Sequence, residues 1–222
     1  MPGSAATPVV LTYHRIGDPR RGPPGIVSAT RKAFERQMRW LAGTGRAVSL
    51  DDVLRARDGG APLPRGAVLV TFDDAYRDFD EQAWPVLRRL GIPVALFVAT
   101  AYPGSPGRAF WWDRLFAAID AACGTIATPL GSLPLHTAWQ RRRTYRVLRE
   151  HVKNLPHDAA MALVDELVTA LPAPPAQGAV LSWPVLRRLA REGVALGAHS
   201  RTHPLLSRVP EQRVATEIAG SV

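Results

Sequence analysis

The chain has 222 residues, of which 46% are hydrophobic and 21% charged, a globular balance that excludes both a disordered and a membrane-embedded chain. One cysteine, Cys123, excludes an internal disulfide and any multi-cysteine zinc site. The net charge is +9, but 26 of the 28 basic residues are arginine and they are scattered, so the charge alone does not indicate nucleic acid.

The first apolar run, residues 9–14, reads as a buried strand ending at Tyr13-His14. A helix starting near Thr30 carries Phe34, Met38 and Leu41 on one face. A second strand, residues 47–50, runs into a helix announced by Ser49 and Asp52, a capping-box pair. The third and fourth strands are residues 67–72 and 94–98, with a helix between them from about Asp78 to Leu90 that stops at Gly91. After Ser182 a further helix stops at Gly193, and the fifth strand is residues 194–198. These apolar runs are continuous rather than alternating, and helices separate most of them. The pattern predicts an α/β architecture with a mostly parallel sheet or barrel.

Breaker-rich stretches at residues 102–107 and 171–176 frame a middle segment. Residues 108–171 read as a helical insertion without a strand signal, with Trp111, Trp112, Leu115, Phe116 and Ile119 as its packing stripe. Arg141, Arg142, Arg143, Arg146 and Arg149 read as a solvated helix face, with an anion-binding surface as the alternative, and His136, His151 and His157 read as solvated. The last segment, residues 211–222, has a helical pattern with Val214 and Ile218 inward. No apolar run is long enough to span a bilayer and no signal peptide is visible at residues 1–6, so the default expectation is a cytoplasmic location.

Two places carry chemistry. Asp73-Asp74 directly follow the third strand, where paired carboxylates repel unless a cation relieves them. The doublet Asp51-Asp52 is the internal contrast, since it sits in a helix first turn where the helix dipole accounts for it. His199 and His203, four residues apart after the fifth strand, can converge on one metal if the loop between them is compact. Together these offer two nitrogens, one carboxylate ligand and a spare carboxylate, the arrangement of a catalytic zinc-type site. A serine-hydrolase reading fails for want of a Gly-x-Ser-x-Gly elbow.

With these motifs the chain resembles the polysaccharide deacetylases of the NodB-homology type, carbohydrate esterase family four. The family's Thr-Phe-Asp-Asp motif matches residues 71–74, and its His-Ser/Thr-x-x-His motif matches His199 through His203, with Pro204 following. Tyr13-His14, Trp112-Asp113-Arg114-Leu115 and Gly197-Ala198 agree with it. The resemblance implies a partial, distorted (β/α) barrel with a helical insertion, forming one deacetylase-like domain over residues 1–222. It implies a metal-dependent hydrolase that removes acetyl groups from an N- or O-acetylated polysaccharide or oligosaccharide. Asp73 would be the general base, and Asp74, His199 and His203 would bind a divalent metal, zinc in most of the family. His14 is open to two readings, lining the same mouth or serving the structure; Tyr13 and Arg201 are expected at the rim. The implied partner is the acetylated sugar polymer, with no nucleic acid and no membrane span.

Two departures stand out. Ala75 occupies the place of the family's usual glycine after the doublet. Only 19 residues follow His203, where the family's later motifs, among them the histidine acting as general acid, normally lie. The expectation is therefore a domain lacking its C-terminal strands. Such a chain is either an active deacetylase that completes its site otherwise, a metal-binding fragment without turnover, or a related hydrolase of another C–N bond.

Overall fold

A computed structural model describes residues 7–105, 107–172 and 178–222. The residues inspected for a signal peptide (1–6), Pro106 and most of the second breaker stretch lie outside the described residues. In chain order the elements are β1 (Val9–Tyr13), β2 (Arg15–Ile16), β3 (Val27–Ala29), α1 (Arg31–Thr44), β4 (Ala47–Val48), α2 (Leu50–Arg57) and β5 (Val68–Phe72). A π-helical turn, Phe79–Ala83, leads into α3 (Trp84–Leu90), then β6 (Val94–Val98) and α4 (Trp111–Ala121). There follow β7 (Thr125–Thr128), β8 (Gly131–Pro134), α5 (Ala138–Asn154), α6 (His157–Thr169), α7 (Trp183–Arg191), β9 (Ala195–Ala198) and α8 (Glu211–Ala219). The chain divides into two compact units, Met1–Ala99 with Val180–His199, and Thr100–Ala179 with Ser200–Val222.

The first unit is an α/β layer around five parallel strands, the same five apolar runs that the sequence predicts. β5 pairs with β1 along its whole length, Val68–Phe72. Its other edge is shared: β4 meets Val68 and Leu69, and β6 takes over from Val70 to Phe72. β9 then pairs with β6 from Ala95↔Ala195 to Val98↔Ala198. In that pairing Gly197 lies under the Phe97 ring, where a Cβ would come within 2.6 Å of the ring carbons. Local signals are met closely. Thr30 caps α1 by accepting from the Ala33 N–H, and Phe34, Met38 and Leu41 are its buried residues. Ser49 and Asp52 form the reciprocal capping box of α2. Tyr13, Phe34, Phe72 and Phe79 pack as an aromatic cluster between sheet and helices, with adjacent ring centroids 4.9–5.7 Å apart.

The uniform burial expected of the five strands is not found. Every residue of β5 is buried, but Val9 and Val10 of β1 are exposed, as is Leu196 of β9. These two strands end the path β1-β5-β6-β9, so a continuous apolar run here reflects a parallel sheet without double-sided cover.

The second unit is mainly helical. Leu115, Phe116 and Ile119 of α4, Tyr145, Leu148 and Val152 of α5, and Leu163, Val164 and Leu167 of α6 form its core. The predicted packing stripe is met, with Trp112 buried and Trp111 half-buried against the cluster. The absence of strands is not met, because β7 and β8 form an antiparallel hairpin turning at Gly131, whose φ is +96°. Each strand has only four residues, too few for alternation to stand out from helical context. His136 is exposed as expected, whereas His151 and His157 are half-buried. The inward face expected of α8 is also corrected: Ile218 is 52% exposed, and Glu217 is buried at 4%. Among the described residues no helix is long and apolar enough to cross a membrane.

Candidate metal centre

In a parallel sheet all strands deliver their C-terminal ends to the same edge, and residues just beyond those ends meet there. Asp73 follows β5, and its N–H donates to the Tyr13 carbonyl at 2.9 Å, prolonging the β1–β5 ladder by one residue. His199 follows β9 in the same manner, its N–H donating to the Val98 carbonyl at 2.8 Å. Asp74 Oδ1 and His199 Nε2 are 3.9 Å apart, although β6 separates their strands. His203 follows four residues on. One ligand atom from each of Asp74, His199 and His203 lies within 4.8 Å of the others.

The donor set suits a divalent cation. Two imidazole nitrogens and one carboxylate oxygen are the ligands of catalytic zinc-type sites with an open position. Asp74 is only 1% exposed, and an ionised carboxylate at that depth is costly unless a positive charge compensates it. The site also concentrates backbone strain. Among the described residues, the non-glycine positions with positive φ are Asp74 (70°), Ala75 (51°), Ser200 (57°) and His203 (59°). All four lie within the two motifs or directly after the first, and each costs about 1–3 kcal/mol that the surroundings must offset. After the doublet the turn is fastened by the Leu181 N–H donating to the Ala75 carbonyl at 2.8 Å and by the Tyr76↔Val180 bridge. Half-buried Asp78 accepts from Arg15 Nε and the Ile16 N–H, both at 2.8 Å. Burial raises its pKa, and Arg15 opposes that rise.

Ala75 explains the family's preference for glycine there, since its Cβ sits on a left-handed residue. Ala75→Gly should therefore be nearly neutral, within about 1 kcal/mol. Relief of left-handed strain offsets the lost methyl burial and the added freedom of the unfolded chain. Ala75→Val should cost more than about 2 kcal/mol through overpacking and strain. Denaturant midpoints of both variants check this, and a glycine variant losing stability like an ordinary buried alanine would contradict it.

The other predicted residues separate clearly. His14 is half-exposed, with Nε2 4.0 Å from Asp73 Oδ2. Tyr13 is buried at 7%, stacks on Phe72, and donates its hydroxyl to Gln37 Oε1 at 2.9 Å, all of which place it in the core. Its burial raises the phenol pKa. Arg201 is exposed, and its carbonyl accepts from the Ala101 N–H at 2.9 Å.

Glu217 went unforeseen. Its carboxylate accepts from the Thr202 N–H at 2.6 Å and from the Thr202 hydroxyl, and its carbonyl accepts from the Arg201 N–H at 3.0 Å. In the sequence alone Glu217 is one acid in a polar helix; only its contact with a turn distant along the chain makes it special. The second unit also holds a cavity of about 380 Å³ reaching His203, lined among others by Tyr102, Arg108, Trp111, Arg114, His157, Thr202 and Arg213. Burial and the neighbouring Arg213 lower the His157 pKa.

A family model described as "Polysaccharide deacetylase" matches residues 60–222. The chain belongs to the polysaccharide deacetylase family. Within curated members it is 33% identical over 86 residues to the poly-beta-1,6-N-acetyl-D-glucosamine N-deacetylase of Escherichia coli K12, a match covering 38% of this chain and 13% of that protein. It is 30% identical over 109 residues to the protein of the same name from Staphylococcus epidermidis, covering 44% of this chain and 37% of that one. The matched part thus spans well under half the length of these relatives. Among solved structures, the Streptococcus pyogenes deacetylase PplD, solved in complex with acetate, superposes with a TM-score of 0.58 at 15% identity, over 98% of this chain and 67% of that one. The α/β fold is thereby of the general NodB-homology type, and in this family member Asp74, His199 and His203 form a group able to hold a metal ion.

Proposed function

We propose that this polysaccharide deacetylase hydrolyses acetamide groups on a polymer or oligomer of N-acetylated sugars, with zinc as its metal and Asp73 as its general base. The observation that carries the reading is the convergence of Asp74, His199 and His203 within 4.8 Å, with Asp73 adjacent in sequence and less deeply buried. A divalent cation held by these three side chains supplies Lewis-acid polarisation of the acetyl carbonyl and acidifies water beside it. Asp73 accepts a proton from water as the oxygen bonds to the acetyl carbon. The C–N bond then breaks, releasing acetate and a free amine that takes up a proton. The 4.0 Å between His14 Nε2 and Asp73 Oδ2 supports the reading of His14 as a residue lining the same mouth.

The names of the Escherichia coli and Staphylococcus epidermidis relatives support an N-acetylglucosamine polymer as substrate. The cavity beside His203 is of a size typical for ligand pockets, and half-buried Trp111 offers a sugar ring an apolar surface. We also read residues 108–171 as an insertion within one deacetylase-type domain. The parallel sheet reads as part of a distorted barrel, supported by the shared edge of β5, where β4 and β6 divide one side of a strand as a curving sheet requires.

The test is acetate release from an N-acetylglucosamine oligomer by chelator-stripped protein, before and after adding one equivalent of zinc. Release that depends on the added metal is expected. Metal-loaded protein that releases no acetate from N- or O-acetylated oligomers would exclude the reading.

A further inference from the structure

We propose that Glu217 is a positioning residue of the metal site, holding Thr202 so that His203 presents its imidazole as a ligand. The proposal rests on the metal-site reading above and concerns how that site is kept in shape. Glutamate is almost never fully buried unless its carboxylate is engaged, and Glu217 is 4% exposed. Both of its carboxylate oxygens are engaged by one residue: Oε2 by the Thr202 N–H at 2.6 Å, and Oε1 by the Thr202 hydroxyl. Its backbone carbonyl takes the N–H of the preceding residue, Arg201, at 3.0 Å. One residue of α8 therefore anchors the two consecutive amides at the centre of the His motif.

Those two amides lie between Ser200 and His203, both left-handed at φ 57° and 59°. A turn with two such residues in four persists only where its surroundings fix it. Other ties act on the same turn: the Thr100 and Ala101 N–H groups donate to the Ser200 and Arg201 carbonyls at 3.2 and 2.9 Å, the Ser200 hydroxyl accepts from the His203 N–H at 3.2 Å, and the Tyr102 hydroxyl donates to the Thr202 carbonyl at 3.3 Å. Glu217 differs from these in taking both the amide and the hydroxyl of Thr202 on one carboxyl group, which fixes the residue next to His203 at two points. The His203 ring packs edge-on against Phe110 and Trp112, with centroids 5.5 and 5.0 Å away. The aromatic rings thus limit how the imidazole tilts, and Glu217 fixes the backbone that carries it. Outer partners of this kind are generally worth 10–100-fold in metal affinity.

The experiment is zinc affinity by chelator competition, together with the visible spectrum of the cobalt(II)-loaded protein, for the parent, Glu217→Gln, Thr202→Val and Thr202→Ser. Glu217→Gln is expected to bind zinc about 10–100-fold more weakly and to shift the cobalt bands, because a ligand has changed direction. Thr202→Val, which keeps the amide but loses the hydroxyl, should fall between it and the parent. Thr202→Ser, which keeps both donors, should restore parent affinity and spectrum. A merely structural role would lower the unfolding midpoint and leave the cobalt bands of the folded fraction in place, and that outcome would overturn the proposal. So would parent-like affinity and spectra in both Glu217→Gln and Thr202→Val. If Glu217→Gln does not fold, the two Thr202 variants decide by the same criteria. A parent chain that takes up neither metal overturns the metal-site reading and this proposal with it, whereas a parent that binds metal beside unaffected variants overturns this proposal alone.

Discussion

Asp74→Asn and His199→Ala are each expected to abolish the single zinc-binding event that calorimetry should record for the parent chain. Asp74 is the anionic donor of the three, and it is 1% exposed. Asparagine keeps its shape but offers a neutral oxygen, so both charge and donor strength are lost. The loss should exceed the roughly 10–100-fold effect of outer partners, because a direct ligand is gone. Misfolding can be told apart from ligand loss. Asparagine has the same outline and tolerates the left-handed backbone at this position (φ 70°), so the unfolding midpoint of the metal-stripped variant should stay close to that of the parent. Zinc should then raise the parent's midpoint by linkage, and leave that of either variant unmoved. Unchanged zinc binding in both variants would remove the metal assignment.

Asp73→Asn should behave in the opposite way, keeping zinc and losing turnover. A general base contributes about 10²–10⁴-fold, equivalent to about 2.7–5.4 kcal/mol of barrier. The drop should appear in kcat, with KM little altered, since asparagine preserves the outline of the site. The pH profile supplies a second readout. A base must be deprotonated to act, so parent activity should fall on the acid side as its carboxylate takes up a proton, and the residual activity of the asparagine variant should lack that limb. Full activity in Asp73→Asn would show that another group takes the proton, and loss of zinc in the same variant would make Asp73 a ligand instead.

The parts of this molecule that were legible in the sequence are those set by short-range rules. The Ser49/Asp52 cap, the Thr30 start and the stop at Gly91 each depend on residues within a turn of one another, and all three appear as expected. The five parallel strands were legible because each is a compact apolar run ending in a breaker or a polar motif. The metal triad was legible for a different reason. Its residues follow strand ends, and a parallel sheet brings strand ends together whatever the connections between them. What escaped was non-local. Burial of Glu217 depends on amides of a turn that precedes it, and helical periodicity alone favoured Ile218 for the inward position. The exposure of β1 and β9 escaped because an apolar run reports hydrophobicity, not how many neighbours a strand receives. Tyr13 was legible as a residue next to the site, yet its ring turns into the aromatic cluster, since successive side chains of a strand face opposite ways.

The pairing of β6 with β9 joins Ala95 to Ala195, a hundred positions along the chain. Closing so long a loop carries an entropic penalty that no local contact offsets in advance, and topologies rich in such distant pairings fold slowly. The helices and hairpin of residues 111–169 find one another over much shorter separations and can form beforehand. Asp74 and His199 meet only where β9 has docked on β6, so the three-residue chelate depends on the most distant pairing in the sheet rather than on any local contact.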